Sequence, residues 1–127
     1  MPIKRLLCPA RARRIPAQFS WVDQRLVREG YLERCDCQGL ALYLFLVTVA
    51  DAQGLSYYGD ATLARSLSLA PARLRAARAD LIRAGLIVYE RPLYQVLGLD
   101  GAAPELSRDE QRARLARLRA MLPPRLP

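Results

Sequence analysis

The sequence predicts a mainly α-helical domain carrying a small β-sheet, and three observations lead there. The run from Gln38 to Ala52 has apolar residues on every side of a helical wheel, so it reads as a central helix covered on most faces. Two further helical segments, Asp60 to Ser66 and Pro71 to Ala84, are separated only by the turn Ser68-Leu69-Ala70. Three short runs, Leu55 to Tyr58, Leu86 to Glu90 and Leu93 to Leu97, carry strand signals. With 127 residues, the chain has room for one core plus tails. The expected organisation is an arm over 1–18, the domain over 19–97, a linker over 98–106 and an amphipathic helix with its tail over 107–127.

The arm is rich in arginine and proline, lacks any acid and shows no apolar period, so an extended segment is expected. Ser20, with Asp23 three residues on, reads as the N-cap of a short helix that stops near Gly30, and Trp21 and Tyr31 would anchor it on the core. Gly54 suits the stop of the central helix. Asp60 reads as the cap of the next helix, with Leu63, Ala64 and Leu67 on its inner face. Pro71 fits the first position of the following helix, and Gly85 ends it. The last two β runs, joined through Arg91-Pro92, read as a hairpin. Ser107 and Glu110 form a capping-box pattern that opens a final helix with Leu115, Leu118, Met121 and Leu122 on one side.

Composition narrows the chemistry. Twenty Lys+Arg against 12 Asp+Glu give +8, and the sequence pI is near 10.1, which favours polyanionic partners. Lys4 is the only lysine, and guanidinium suits bidentate contact with phosphates and base edges, although a GC-rich genome also produces an arginine bias. The absence of histidine removes the commonest general base and every Ser-His or Cys-His pair. Cys8, Cys35 and Cys37 match no standard zinc or redox spacing and read as reduced structural cysteines. No signal peptide is read at the N-terminus, and Leu40 to Ala50 is about half of a membrane span, so a cytoplasmic chain without cofactor or metal is expected. Asp23, Glu29, Glu33 and Asp36 alternate with Arg25, Arg28 and Arg34 as an ion-paired surface would, and no phosphate loop accompanies them, so no enzyme is expected.

The order helix, strand, helix, turn, helix, hairpin is more specific than any of its pieces. Ala50-Asp51-Ala52-Gln53-Gly54-Leu55-Ser56-Tyr57, Thr62-Leu63-Ala64, Leu67, Leu74 and Leu81-Ile82-Arg83-Ala84-Gly85-Leu86-Ile87 resemble the winged helix-turn-helix domains of phage, plasmid and mobile-element replication or regulatory proteins. The resemblance covers roughly Gly39 to Leu97. It implies that the helix after the turn is the recognition helix, that Ala-Gly-Leu-Ile leads into the wing, and that the fold binds duplex DNA as a replication initiator or transcription regulator.

With about 100° per residue and Leu74 and Leu81 turned inward, the outer face of the 71–84 helix carries Ala72, Ala76, Ala79 and Arg83, flanked by Arg73 and Arg75. Asn and Gln are missing from it, so phosphate contact and shape are expected to outweigh base readout. Arg78 falls near the inner edge, where the family usually keeps an apolar residue, and is expected to pair with Asp80 or Asp60. Arg91 at the 90–93 wing tip either touches nucleic acid or simply faces solvent. Arg11, Arg13 and Arg14 give the arm a nucleic-acid contact, such as the minor groove, or a solvated tail. The C-terminal leucine stripe favours a homodimer or docking over a membrane, since it is narrow and lacks a Trp or Phe anchor. Two functions remain: a DNA-binding regulator or replication or transposition accessory factor, and a module whose alanine-rich face binds a protein of a replication, transposition or defence complex.

Overall fold

In the computed structural model, residues 3–100 and 116–117 are described. The chain runs through α1 (Arg25–Arg28), α2 (Cys37–Val49), β1 (Leu55–Tyr57), α3 (Asp60–Leu67), α4 (Pro71–Arg83), β2 (Ile87–Glu90) and β3 (Leu93–Val96). The protein is thus mainly helical with a small three-stranded antiparallel sheet, ordered β1-β3-β2. Two units divide the chain, Met1–Leu97 and Gly98–Pro127, and all of these elements belong to the first. The amphipathic helix read over 107–127, and the linker beyond residue 100, lie outside the described residues apart from 116–117. Among the described residues no helix is long and apolar enough to cross a membrane.

Helix α2 begins where Asp36 accepts the Gly39 N–H at 2.8 Å, satisfying one of the free donors of the first turn. It ends at Val49, three residues before the expected stop. The cause is Asp51, whose Oδ1 accepts the N–H groups of Gln53 (2.8 Å) and Leu55 (2.9 Å) and so offers the backbone an alternative to helix. Coverage of α2 also differs from expectation. Leu42 and Leu46 are fully buried, but Cys37, Ala41, Leu44 and Thr48 form one stripe, at helical spacing, that stays exposed.

The segment before α2 departs furthest from the sequence reading. Ser20 caps no helix: its hydroxyl donates to Thr48 O at 2.9 Å. Asp23 instead accepts the Arg25 N–H at 2.9 Å and the Arg25 guanidinium at 2.7 Å, and α1 starts at Arg25 after the N-cap Gln24. Arg25 holds the Asp23 carboxyl below its ordinary range. Tyr31 is buried as expected, whereas Trp21 is 72% exposed and anchors nothing within this unit. Residues 3–18 are exposed throughout and contain one 3-10 turn, Pro9–Arg11.

Helices α2 and α4 are the most extensively packed pair. Leu42, Leu46, Leu63, Leu74, Leu81, Leu86, Ile87 and Tyr94 are wholly buried, so one core joins α2, α3, α4 and the sheet. Gly85, at φ +77°, ends α4 with Leu86 N–H reaching Leu81 O at 3.1 Å, a turn that only a left-handed residue closes without strain. Strands β2 and β3 pair through Glu90 and Leu93, leaving Arg91-Pro92 as a two-residue loop.

Gly54 combines φ +85° with an approach so close that an added Cβ would stand 2.5 Å from Val96 O. Gly54→Ala is therefore expected to lower stability by about 2 kcal/mol, measured by urea unfolding, because both the left-handed backbone and the β1–β3 junction resist it. An unchanged midpoint would contradict that packing.

Candidate nucleic-acid interface

Helix α3 ends at Leu67 with Ser68 in the left-handed region (φ 54°), and the Leu69 N–H returns to Ala64 O at 2.9 Å. Ala70 is extended, and Pro71, which has no N–H to satisfy, opens α4. The turn thus sets two helices in succession. On α4, Leu74, Ala77 and Leu81 are buried; Ala72, Arg73, Arg75, Ala76, Ile82 and Arg83 are exposed. Ala79, which the wheel puts outside, is half-buried on a helix that packs against α2, α3 and β2.

Arg78 is the charged group that the fold takes inside. Its side chain is 11% exposed, and its Nη1 donates to Asp60 Oδ1 and to the Tyr94 hydroxyl, each at 2.8 Å. Nη2 donates to Asp60 Oδ2 at 3.3 Å, and the guanidinium lies 4.3 Å from the centre of the Tyr89 ring. Burial alone would lower the Arg78 pKa, but the bonds to Asp60 and Tyr94 outweigh it and raise it further above its ordinary value. Tyr94, buried under the sheet, is pushed up by that burial against the opposing pull of Arg78. Of the two acids expected to pair with Arg78, the fold selects Asp60. The same bond lowers the Asp60 pKa, with smaller contributions from Arg78, Arg91 and Arg75 charges. Asp60 is also the first residue of α3, not its cap, so its carboxylate is free for this role.

Asp80, the other acid of that pair, is committed elsewhere. Its Oδ2 accepts the Asp36 N–H at 3.0 Å, at the start of α2, and its Oδ1 meets Arg83 Nη2 at 3.3 Å. Arg83 is 70% exposed, so this single-point pair contributes about 0.5 kcal/mol at most and leaves most of the guanidinium in solvent.

Arg73, Arg75 and Arg91 are exposed, and none has a carboxylate within ion-pair distance among the described residues. Arg75 on α4 and Arg91 at the hairpin tip both act on Asp60, so charges from two elements converge on that carboxylate. Arg11, Arg13 and Arg14 are exposed too, with no side-chain bond from the arm to α4 or the hairpin among the described residues. Arg65, exposed in the last turn of α3, escaped the sequence reading; its only available signal was its position just before the turn.

Among the described residues, no group of three His, Cys, Asp or Glu could hold a metal ion. Cys8 and Cys37 are exposed free thiols, and Cys35 has its pKa raised by burial first and then by Asp80 and Asp36, the opposite of an activated nucleophile. No protein-family model, no curated protein and no solved structure matches the chain.

Replacing Arg78 leaves Asp60 and the Tyr94 hydroxyl without their shared donor. Arg78→Met is expected to cost about 3 kcal/mol in urea unfolding, and Tyr94→Phe about 1 kcal/mol. The depressed Asp60 pKa also has a sign: its stabilisation is complete above the unfolded value near 3.8 and is lost as pH falls through the lower folded value. Asp60→Asn should therefore flatten the acid limb of the stability curve below that pH, and an unaltered limb would remove Asp60 from the network.

Proposed function

We propose that the chain is a winged helix-turn-helix protein that binds duplex DNA, as a transcription regulator or as a replication or transposition accessory factor of a mobile element. The element order and the β1-β3-β2 sheet support the winged-helix reading, with α4 as the recognition helix and the β2–β3 hairpin as a short wing. The observation that carries the function is the outer surface of α4. Arg73 and Arg75 stand on it exposed and without an acid partner among the described residues, whereas Arg78 and Arg83 of the same helix each meet a carboxylate.

The chemistry of that face is electrostatic. Arginine forks meet phosphate oxygens in bidentate fashion, while Ala72 and Ala76 keep the helix surface low enough to enter a groove. With no amide side chain on the face, affinity comes mainly from phosphates and duplex shape, and sequence preference is modest. Arg91 extends the contact from the hairpin, and Arg83 contributes from the far end of the helix after exchanging its weak Asp80 contact for a phosphate. The same exposed alanines favour a second reading, a close-packed protein partner on α4. Affinity for duplex in the absence of any protein separates the two.

Anisotropy titration with a labelled duplex is expected to give a log–log salt slope of about −3, consistent with three to four phosphate contacts. Arg73→Glu with Arg75→Glu should weaken binding at least tenfold, and Arg91→Ala about threefold, with unfolding midpoints unchanged. Duplex affinity that is absent near physiological salt, or intact in the double charge reversal, would reject the assignment of this face.

A further inference from the structure

A second surface is left over by this reading. Among the described residues, half of the exposed large apolar side chains lie between residues 3 and 21: Ile3 (88%), Leu6 (63%), Leu7 (86%), Ile15 (79%), Phe19 (64%) and Trp21 (72%). Solvation does not explain so many, and phosphate contact has no use for the aliphatic ones. The arm around them carries Lys4, Arg5, Arg11, Arg13 and Arg14 and no acid. Prolines at 9 and 16 prevent it from forming one amphipathic helix, which argues against a membrane surface.

The complementary surface is on the same molecule. The exposed stripe of α2, centred on Leu44 at 61%, carries no charge from Cys37 to Thr48. Acids stand at both of its ends: Glu33 and Asp36 before α2, and Asp51 just after it, all exposed. The Ser20–Thr48 bond fixes the root of the arm beside the C-terminal end of the stripe, yet the arm of the same chain leaves Leu44 uncovered. From residue 3 to residue 19 an extended chain spans roughly 50 Å, about two and a half times the length of α2 at about 20 Å.

We propose that two copies of this chain exchange arms, the apolar residues of 3–19 from one lying on the Leu44 stripe of the other while its arginines meet Glu33, Asp36 and Asp51. Charge complementarity selects the occupant: a basic arm without acids fits an uncharged stripe flanked by acids, and both halves are present in every molecule, as a closed two-fold exchange requires. The inference is independent of the α4 reading, since it uses neither α4 nor the hairpin, and it assigns Arg11, Arg13 and Arg14 to the partner copy and not to nucleic acid.

Trp21 is the only tryptophan and sits at the root of the arm, so its emission reports on this surface without a label. Light scattering on the full chain should give twice the 14.3 kDa monomer mass at tens of micromolar, and dilution should shift mass and Trp21 emission together. Leu44→Glu is expected to weaken the dimer at least tenfold and to red-shift Trp21. The triple variant Arg11→Glu, Arg13→Glu, Arg14→Glu, in a segment that contributes nothing to the core, should do the same even if Leu44→Glu folds poorly. A monomer at all concentrations overturns the proposal, and so does a dimer that survives both variants or dissociates without a change in Trp21 emission. Loss of duplex affinity in the triple variant with its mass unaltered would assign the arm to DNA and overturn it as well.

Discussion

The domain depends on one buried cation. A guanidinium that is 11% exposed cannot be left unpaired, because the cost of removing a charge from water is several kcal/mol unless hydrogen bonds replace the solvent. Arg78 meets that requirement with Asp60 at the start of α3, with Tyr94 in the middle strand and with the face of Tyr89 in β2. Three elements thereby take their positions from one side chain of a fourth. The turn between α3 and α4 needs little sequence of its own, since the two helices are held from behind.

A second carboxylate, Asp80, ties α4 to another element two residues further along. Asp80 accepts from the backbone of Asp36, where the N-terminal end of α2 already favours negative charge. Gly39 permits the contact, for a Cβ there would come within 2.9 Å of Asp80 Oδ2. The two ties polarise α4. Its second half is bound to the core through Arg78 and Asp80, with Arg83 resting on the latter, whereas Arg73 and Arg75 in its first half are exposed without an acid partner among the described residues. Positive charge is therefore concentrated where α4 leaves the turn, and Arg91 joins it through their common influence on Asp60.

The elements with a strong local signal were legible. Pro71 opens α4 and Gly85 stands two residues past its end, and the spacing of Leu74 and Leu81 names its inner face. The weak signals failed where a polar side chain had a distant alternative. Ser20 has the right composition for a cap but donates to Thr48, 28 residues away, and the Arg25 N–H is met by Asp23. Trp21 reads as an anchor by type alone, and type does not reveal whether a surface is present to receive it.

Periodicity, proline, glycine and charge are properties of neighbours in the chain, and they sufficed for the number of helices around the turn, the hairpin and the basic balance of the protein. The choice of Asp60 over Asp80 for Arg78, the exposure of Leu44 on a helix apolar all round, and the separation of idle from engaged arginines came only with the fold. Each depends on which groups approach from remote parts of the chain, and a carboxylate two positions away on a helix points to another side of it.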